Sequence, residues 1–400
     1  MKIKKTNRFN IAPNAIIFPI TFVSIALLIM KYYIIAGEAS GDLHGANLMK
    51  ALIREDQDAN IRYWGGDLMS KIGGTLIKHY KDLAFMGFVE VLFNLKTIFK
   101  NISFCKNDIV KFNPDVVIFI DYPGFNMRIA KWAKKKEIKT HYYISPQIWA
   151  WKESRIKAIK RDVDQMYVIL PFEKTFYEDK HQFPVHFVGH PLIDEISNRT
   201  QVDVELFKKE NNLDQRPIIA ILPGSRKQEI SKMLEVMLSI VEDFSMYQFV
   251  IAGAPSQDEL FYKSFIKTSN VHLLLNKTYD LLSVSYAALV TSGTATLETA
   301  LFKVPQVVCY KGNQISYEIA KRIIKLNYIS LVNLILDKEA VTELIQSDFN
   351  KKMVSKELTK ILDDDNRTVL FSDYHELEDK LGGIGASVKT AKLIIEETKK

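Results

Sequence analysis

Tyr32-Tyr33-Ile34-Ile35-Ala36-Gly37-Glu38-Ala39-Ser40-Gly41-Asp42 is an apolar run that closes in a loop of small residues and opens a helix near Leu43. A short run that is apolar on both faces suits a strand covered on both sides, and the helix after it is the crossover that parallel pairing needs. The unit recurs. Apolar runs at 61–64, 116–120, 140–144, 166–170 and 185–188 alternate with longer amphipathic stretches, the signature of βα units. A polar, charge-rich stretch over 197–216 follows, and the alternation then restarts at 218–222, 249–252, 271–275, 288–290 and 306–310. The reading is an α/β protein with two successive open sheets facing each other across a cleft, where ligands bind at the carboxyl ends of the strands. Beyond about residue 338 the chain reads as helical and charged, and the last helices are expected to pack back on the first domain.

Composition agrees with two domains. Four hundred residues exceed what one hydrophobic core usually supports, and 47% apolar with 25% charged residues is ordinary for a globular chain. Cys105 and Cys309 stand far apart with no CxxC pair, which argues against a disulfide framework and a cysteine zinc site and favours a reducing compartment. A net charge of +7 suits nucleic acid, anionic lipid or a phosphorylated substrate alike. Residues 1–30 carry Lys2, Lys4, Lys5 and Arg8 before an apolar run broken by Pro13 and Pro19. A spanning helix there would leave only Lys31 to join it to the first strand, so translation is expected to start at Met30, with an N-terminal anchor as the alternative. The expected division is 31–200, 201–370 and a C-terminal helical piece, 371–400.

Four loops stand where chemistry is expected. Gly37-Glu38-Ala39-Ser40-Gly41-Asp42 offers backbone amides at a helix N-terminus, although a turn without ligand reads equally well; it is not GxGxxG, and no acid ends the second strand, which disfavours a nicotinamide enzyme. Asp121, in Asp121-Tyr122-Pro123-Gly124-Phe125-Asn126, stands at the end of a very apolar strand, either as a base toward the cleft or as a cap of the next helix. Gly224-Ser225-Arg226 and Ser292-Gly293-Thr294 put small residues at two further helix starts, with Arg226 as a fixed positive fork, and together describe a diphosphate cradle. Glu298 suits a ribose diol, or is a first-turn carboxylate that the helix dipole favours. Asp162, Asp164 and the 363–365 run read as solvated carboxylates, so no metal is expected. From Met86 to Phe112 large apolar residues including Phe88, Leu92 and Phe99 alternate with lysines, more apolar than a helix lying on a core needs, which suggests an interfacial surface. Basic clusters at 131–139 and 152–161 read singly as solvated faces.

These loops, with Tyr143-Ile144-Ser145-Pro146-Gln147-Ile148-Trp149-Ala150-Trp151, Leu170-Pro171-Phe172-Glu173 and Val188-Gly189-His190-Pro191, resemble the ordered motif series of the lipid-A-disaccharide synthase family, from about Lys31 to the C-terminus. The resemblance implies two Rossmann-like domains of the GT-B type. It also implies an inverting transfer of 2,3-diacylglucosamine from its UDP donor to the 6-hydroxyl of 2,3-diacylglucosamine 1-phosphate, giving the β-1,6 disaccharide 1-phosphate and UDP. Asp121 matches the family's general base, and Arg226, Ser292, Gly293, Thr294 and Glu298 match its nucleotide loops, with Gly224 and Ser225 beside them; Ser40, Gly41 and Asn126 are expected to touch substrate. The implied setting is the cytoplasmic side of the inner membrane, peripherally bound, with no cofactor and no nucleic-acid partner. Two other classes use parts of the same equipment. A sugar-nucleotide epimerase needs the phosphate loops but no docking stretch, and a non-enzymatic nucleotide-binding membrane protein has no use for Asp121.

Overall fold

A computed structural model describes residues 29–83, 95–312 and 327–400. The expected extension over 1–30, apart from Ile29 and Met30, and the candidate membrane residues Phe88 and Leu92 lie outside the described residues. The first half forms a sheet of β1 (Lys31–Ala36), β2 (Asn60–Gly65), β3 (Thr75–His79), β4 (Val116–Ile120), β5 (Lys139–Tyr143), β6 (Gln165–Val168) and β7 (His186–Phe187). Its order is β3-β2-β1-β4-β5-β6-β7, parallel throughout. The second half holds β8 (Ile218–Leu222), β9 (Gln248–Gly253), β10 (Val271–Leu275), β11 (Ala287–Thr291), β12 (Gln306–Tyr310) and β13 (Glu343–Ile345). They align as β10-β9-β8-β11-β12-β13, again all parallel.

The central strands explain the continuous apolar runs. Every residue of β4 and β8 is buried, as strands flanked by helices on both faces must be. In each sheet the order reverses between two neighbours, β1 and β4 in the first and β8 and β11 in the second. There the crossover helices leave toward opposite faces, opening a crevice at the carboxyl ends of the strands.

Three expectations need correction. The strand expected at 166–170 stops at Val168, because the N–H groups of Ile169 and Leu170 donate to the Glu173 carboxylate instead of a ladder. The region beyond 338 is not purely helical, since β13 pairs along β12. The division expected at 370/371 falls inside the unbroken helix Asp364–Lys380, which packs with the second half. The chain leaves that half instead through Gly382-Gly383-Ile384-Gly385. The last helix, Ala386–Lys399, then returns to the first half, where the N–H groups of Gly385 and Ser387 donate to Asp194 at 2.6 and 3.0 Å. Lys139 Nζ donates to Thr398 O at 2.6 Å, and Ala391, Ile394 and Ile395 join the same core as the helix Ala39–Glu55. Among the described residues no helix is long and apolar enough to cross a membrane.

Candidate active site at the two switch points

All four loops read from the sequence lie at the two reversal points: those after β1 and β4 in the first sheet, those after β8 and β11 in the second. On the first sheet, Asp121 and Tyr122 both adopt the left-handed region, with φ of 43° and 50°, which costs non-glycine residues energy and persists only where surroundings impose it. The imposing contacts are visible. The Asp121 carbonyl accepts the Tyr142 hydroxyl at 2.6 Å and the Asn126 amide at 2.7 Å, and its N–H donates to Tyr143 O at 3.2 Å. The Tyr122 ring fills the space over Gly37 so closely that a Cβ there would stand 2.2 Å from it, which is why the loop after β1 needs glycine.

Asp121 lines a pocket of about 230 Å³ together with Pro123, Pro146, Gln147, Ile148, Lys152 and Arg155. Burial, followed by the charge of Glu38, pushes its pKa up to about 6, against one hydrogen bond from the Tyr122 N–H. A carboxyl of that pKa is still mostly ionised at neutral pH and is a stronger base than an ordinary aspartate. Lys152 and Arg155 were read from sequence only as part of a basic cluster; the fold brings them to the pocket that Asp121 lines.

Asn126 and Gly41, expected to touch substrate, lie beneath the site. Asn126 is fully buried, its Nδ2 shared among the carbonyls of Ile35, Ile120 and Asp121, so it ties the ends of β1 and β4 together. Gly41 is buried against Ala36 and lets the helix Ala39–Glu55 approach β1, whereas Ser40 is exposed. Asp42 accepts the N–H groups of Gly66, Leu68 and Met69 and so fixes the start of the next helix.

Glu173 carried no assignment in the sequence. It is 1% exposed and accepts Ser145 Oγ at 2.5 Å and Trp149 Nε1 at 3.2 Å, besides the two N–H groups of Ile169 and Leu170. Burial raises its pKa while these donors oppose the shift. One carboxylate thereby locks Ser145-Pro146-Gln147-Ile148-Trp149, a wall of the Asp121 pocket, to the loop after β6. The spacing Leu170-Pro171-Phe172-Glu173, a glutamate at the third position of a helix started by proline, was the available signal.

In the second half, Gly224 has φ +99°, where only glycine is unstrained, and a Cβ there would stand 2.4 Å from the Glu229 carboxylate. Glu229 accepts the Ser225 N–H at 3.4 Å, and Arg226, exposed, starts the helix Lys227–Met237. Ser292 is half-buried and donates to Ile329 O at 3.1 Å, while Gly293 and Thr294 are exposed at the start of the helix Thr294–Leu301. Glu298, one turn on, accepts the Tyr279 hydroxyl on Oε1 at 3.0 Å; burial raises its pKa and that hydrogen bond lowers it.

The carboxylates considered for a metal are engaged otherwise. Asp162 is chelated by the Arg161 guanidinium and Asp164 accepts from Thr140 and Lys134. Among the described residues no group of three or more His, Cys, Asp or Glu is arranged to hold a metal ion.

The helix Leu95–Phe112 divides its apolar residues. Ile102, Cys105 and Ile109 are buried in the first-half core, whereas Phe99, Phe104 and Val110 are 58, 47 and 58% exposed, with Lys96, Lys100 and Lys111 exposed beside them. The excess of apolar residues noted in the sequence thus has two causes, a core face and an outward one.

With this geometry stand the comparisons. The profile of a family described as lipid-A-disaccharide synthetase matches residues 32–393. A lipid-A-disaccharide synthase of Syntrophus aciditrophicus is 38% identical over 375 residues, covering 92% of this chain and 97% of that protein. One from Geobacter metallireducens is 37% identical over 374 residues with the same coverage. Among solved structures, a Methanocaldococcus jannaschii UDP-GlcNAc 2-epimerase in complex with UDP-GlcNAc and UDP superimposes with a TM-score of 0.63 at 13% identity, over 92% of this chain and 100% of that one. A Medicago truncatula protein complexed with UDP-glucose reaches 0.62 at 12% identity, over 93% and 99%. At such identities the likeness is one of fold.

Proposed function

Because this chain belongs to the lipid-A-disaccharide synthetase family, and is thereby a glycosyltransferase of lipid A biosynthesis, we propose how its two halves divide the reaction. The second half holds UDP-2,3-diacylglucosamine: Gly224, Ser225 and Arg226 with Ser292, Gly293 and Thr294 take the diphosphate, and Glu298 takes the ribose diol. The first half holds 2,3-diacylglucosamine 1-phosphate. The acceptor's 6-hydroxyl oxygen attacks C1 of the donor sugar from the face opposite the nucleotide, its proton passes to the Asp121 carboxylate, and the C1–O bond to the diphosphate breaks. UDP leaves with the bonding electrons, its charge met by Arg226 and the helix-start amides, which is electrostatic stabilisation in a fixed environment. Lys152 and Arg155, on the wall of the Asp121 pocket, suit the acceptor's 1-phosphate.

The observation that carries this reading is the arrangement of the four loops at two switch points, with the raised carboxyl of Asp121 on one and the Arg226 loop on the other. The outward face of Leu95–Phe112, apolar and basic, fits a peripheral contact with the cytoplasmic leaflet of the inner membrane, where both acylated substrates reside. The family assignment disfavours the epimerase alternative, whose fold this chain shares. Mixing the purified protein with both substrates and separating the lipid products tests the proposal: a tetraacyl disaccharide with equimolar UDP is expected, and a C2-epimerised donor, or UDP release without disaccharide, overturns it.

A further inference from the structure

Glu298 is half-buried and has an uncommon neighbour. The Tyr279 hydroxyl donates to its Oε1 at 3.0 Å, and Oε2 has no hydrogen-bond partner among the described residues. The Tyr279 ring is held from two sides, by the Phe302 ring at 5.3 Å and by the Arg199 guanidinium 5.2 Å from its centroid. Arg199 is itself anchored to Asp280 at 2.7 Å, and it follows the helix Pro191–Ser197 on the segment that passes from the first half to the second. Neighbouring Glu195, on that helix, accepts Asn47 Nδ2 at 3.4 Å from the helix Ala39–Glu55. A continuous set of contacts therefore runs from the first half through the crossing segment to the Glu298 carboxylate.

We infer that Tyr279 is a positioning residue for nucleotide recognition, which occupies one oxygen of Glu298 and turns the other toward the ribose hydroxyls of the donor. This rests on the proposed role of Glu298 at the ribose. A carboxylate free to rotate presents either oxygen, whereas one hydrogen-bonded to a clamped phenol presents a single oriented acceptor and loses less freedom on binding. Burial and the charge of Glu298 push the Tyr279 pKa up, so the phenol keeps its proton and can only donate to the carboxylate. Selectivity follows, because a site built around a hydroxyl discriminates strongly against the analogue that lacks it.

Tyr279→Phe removes the hydroxyl and keeps the ring between Phe302 and Arg199. Calorimetry with UDP and with 2′-deoxy-UDP, run beside steady-state kinetics and a thermal melt, reads the consequence. The expected result is UDP affinity about fivefold lower, the scale of one oriented hydrogen bond, with a smaller loss for 2′-deoxy-UDP, which keeps only the 3′-hydroxyl, so that the ratio of the two affinities falls. Donor KM rises accordingly, while kcat, acceptor KM and the melt stay as in the parent. An unchanged ratio of the two nucleotides, or an equal loss of both with a lowered melt, overturns the inference. Glu298→Gln in the same assay separates the two levels: if it leaves the ratio intact, the ribose assignment itself fails, and if it collapses the ratio while Tyr279→Phe does not, only the role of Tyr279 fails.

Discussion

Replacing Asp121 by Asn tests the proposed role of this residue as base apart from what its buried carboxyl does to the fold. Burial pushes the carboxyl up to about 6 from an ordinary 3.8, a difference of roughly two pH units, and each unit corresponds to about 1.4 kcal/mol. Because the folded pKa is raised, the native state holds this proton more tightly than the unfolded chain. The contribution to stability is present in full below 3.8 and is lost as pH rises through 6. At pH 7.5 the ionised, buried carboxylate therefore costs the fold up to about 3 kcal/mol. The neutral amide escapes that cost and can still accept the Tyr122 N–H. Asp121→Asn is expected to melt several degrees higher than the parent at pH 7.5, with the gap closing near pH 4, while disaccharide formation falls by about two to four powers of ten. In the parent, activity should decline about tenfold per unit below pH 6, and Glu38→Gln, which removes the second cause of the shift, should slide that limb to lower pH. Near-parental turnover by Asp121→Asn refutes the base assignment. A lower melt at pH 7.5 refutes the buried-charge cost, since it would mean the charge is compensated in the folded state.

The other expectations can be checked with the same protein. Arg226→Ala should weaken UDP binding by about 1.5–3 kcal/mol and leave acceptor binding nearly unchanged, measured by calorimetry; equal losses would indicate a general structural fault. Added chelator should leave the rate unchanged, and a strict requirement for Mg²⁺ or Mn²⁺ would revive a metal-assisted mechanism. Phe99 and Val110 project outward, so their joint replacement by Ser should reduce sedimentation with anionic vesicles by an order of magnitude or more without moving the melt, as each buried apolar side chain contributes on the order of 1.5–3 kcal/mol; a strongly lowered melt would show that the face is core. Glu173→Ala strips the partner from four donors and should destabilise the protein by about 3–5 kcal/mol in denaturant titrations, whereas a neutral effect would show that the Ser145–Trp149 wall does not depend on it.

Why some of this was legible in the sequence and some was not follows from burial. Strands β1, β4, β8 and β11 are central, covered on both faces, and read as unbroken apolar runs. The missed strands are edges: β3 is Thr75-Leu76-Ile77-Lys78-His79, partly exposed along its length, and β13 is three residues long. The four loops were visible as small residues after those central runs, but their shared position at two reversal points depends on which strands pair, and no local pattern encodes that. Asn126 was misjudged for a related reason, since a polar residue in a functional loop looks the same from sequence whether it meets substrate or satisfies three strand-end carbonyls below it. The pairing of Tyr279 with Glu298 left no motif, because the two stand 19 positions apart with a whole strand between them.

The return of the helix Ala386–Lys399 to the first half has a consequence during synthesis. Its seat on Ala39–Glu55 is complete in the chain by the time the helix Pro191–Ser197 has been made, yet the helix that covers it comes almost 190 residues later. At about 5–20 residues per second, a strip of the first-half core faces solvent for roughly 10–40 s on every nascent chain. Through that interval the newborn first half is a sheet with an open apolar flank, the kind of surface that holdase chaperones bind, and its burial waits for the second half to be made and the chain to turn back.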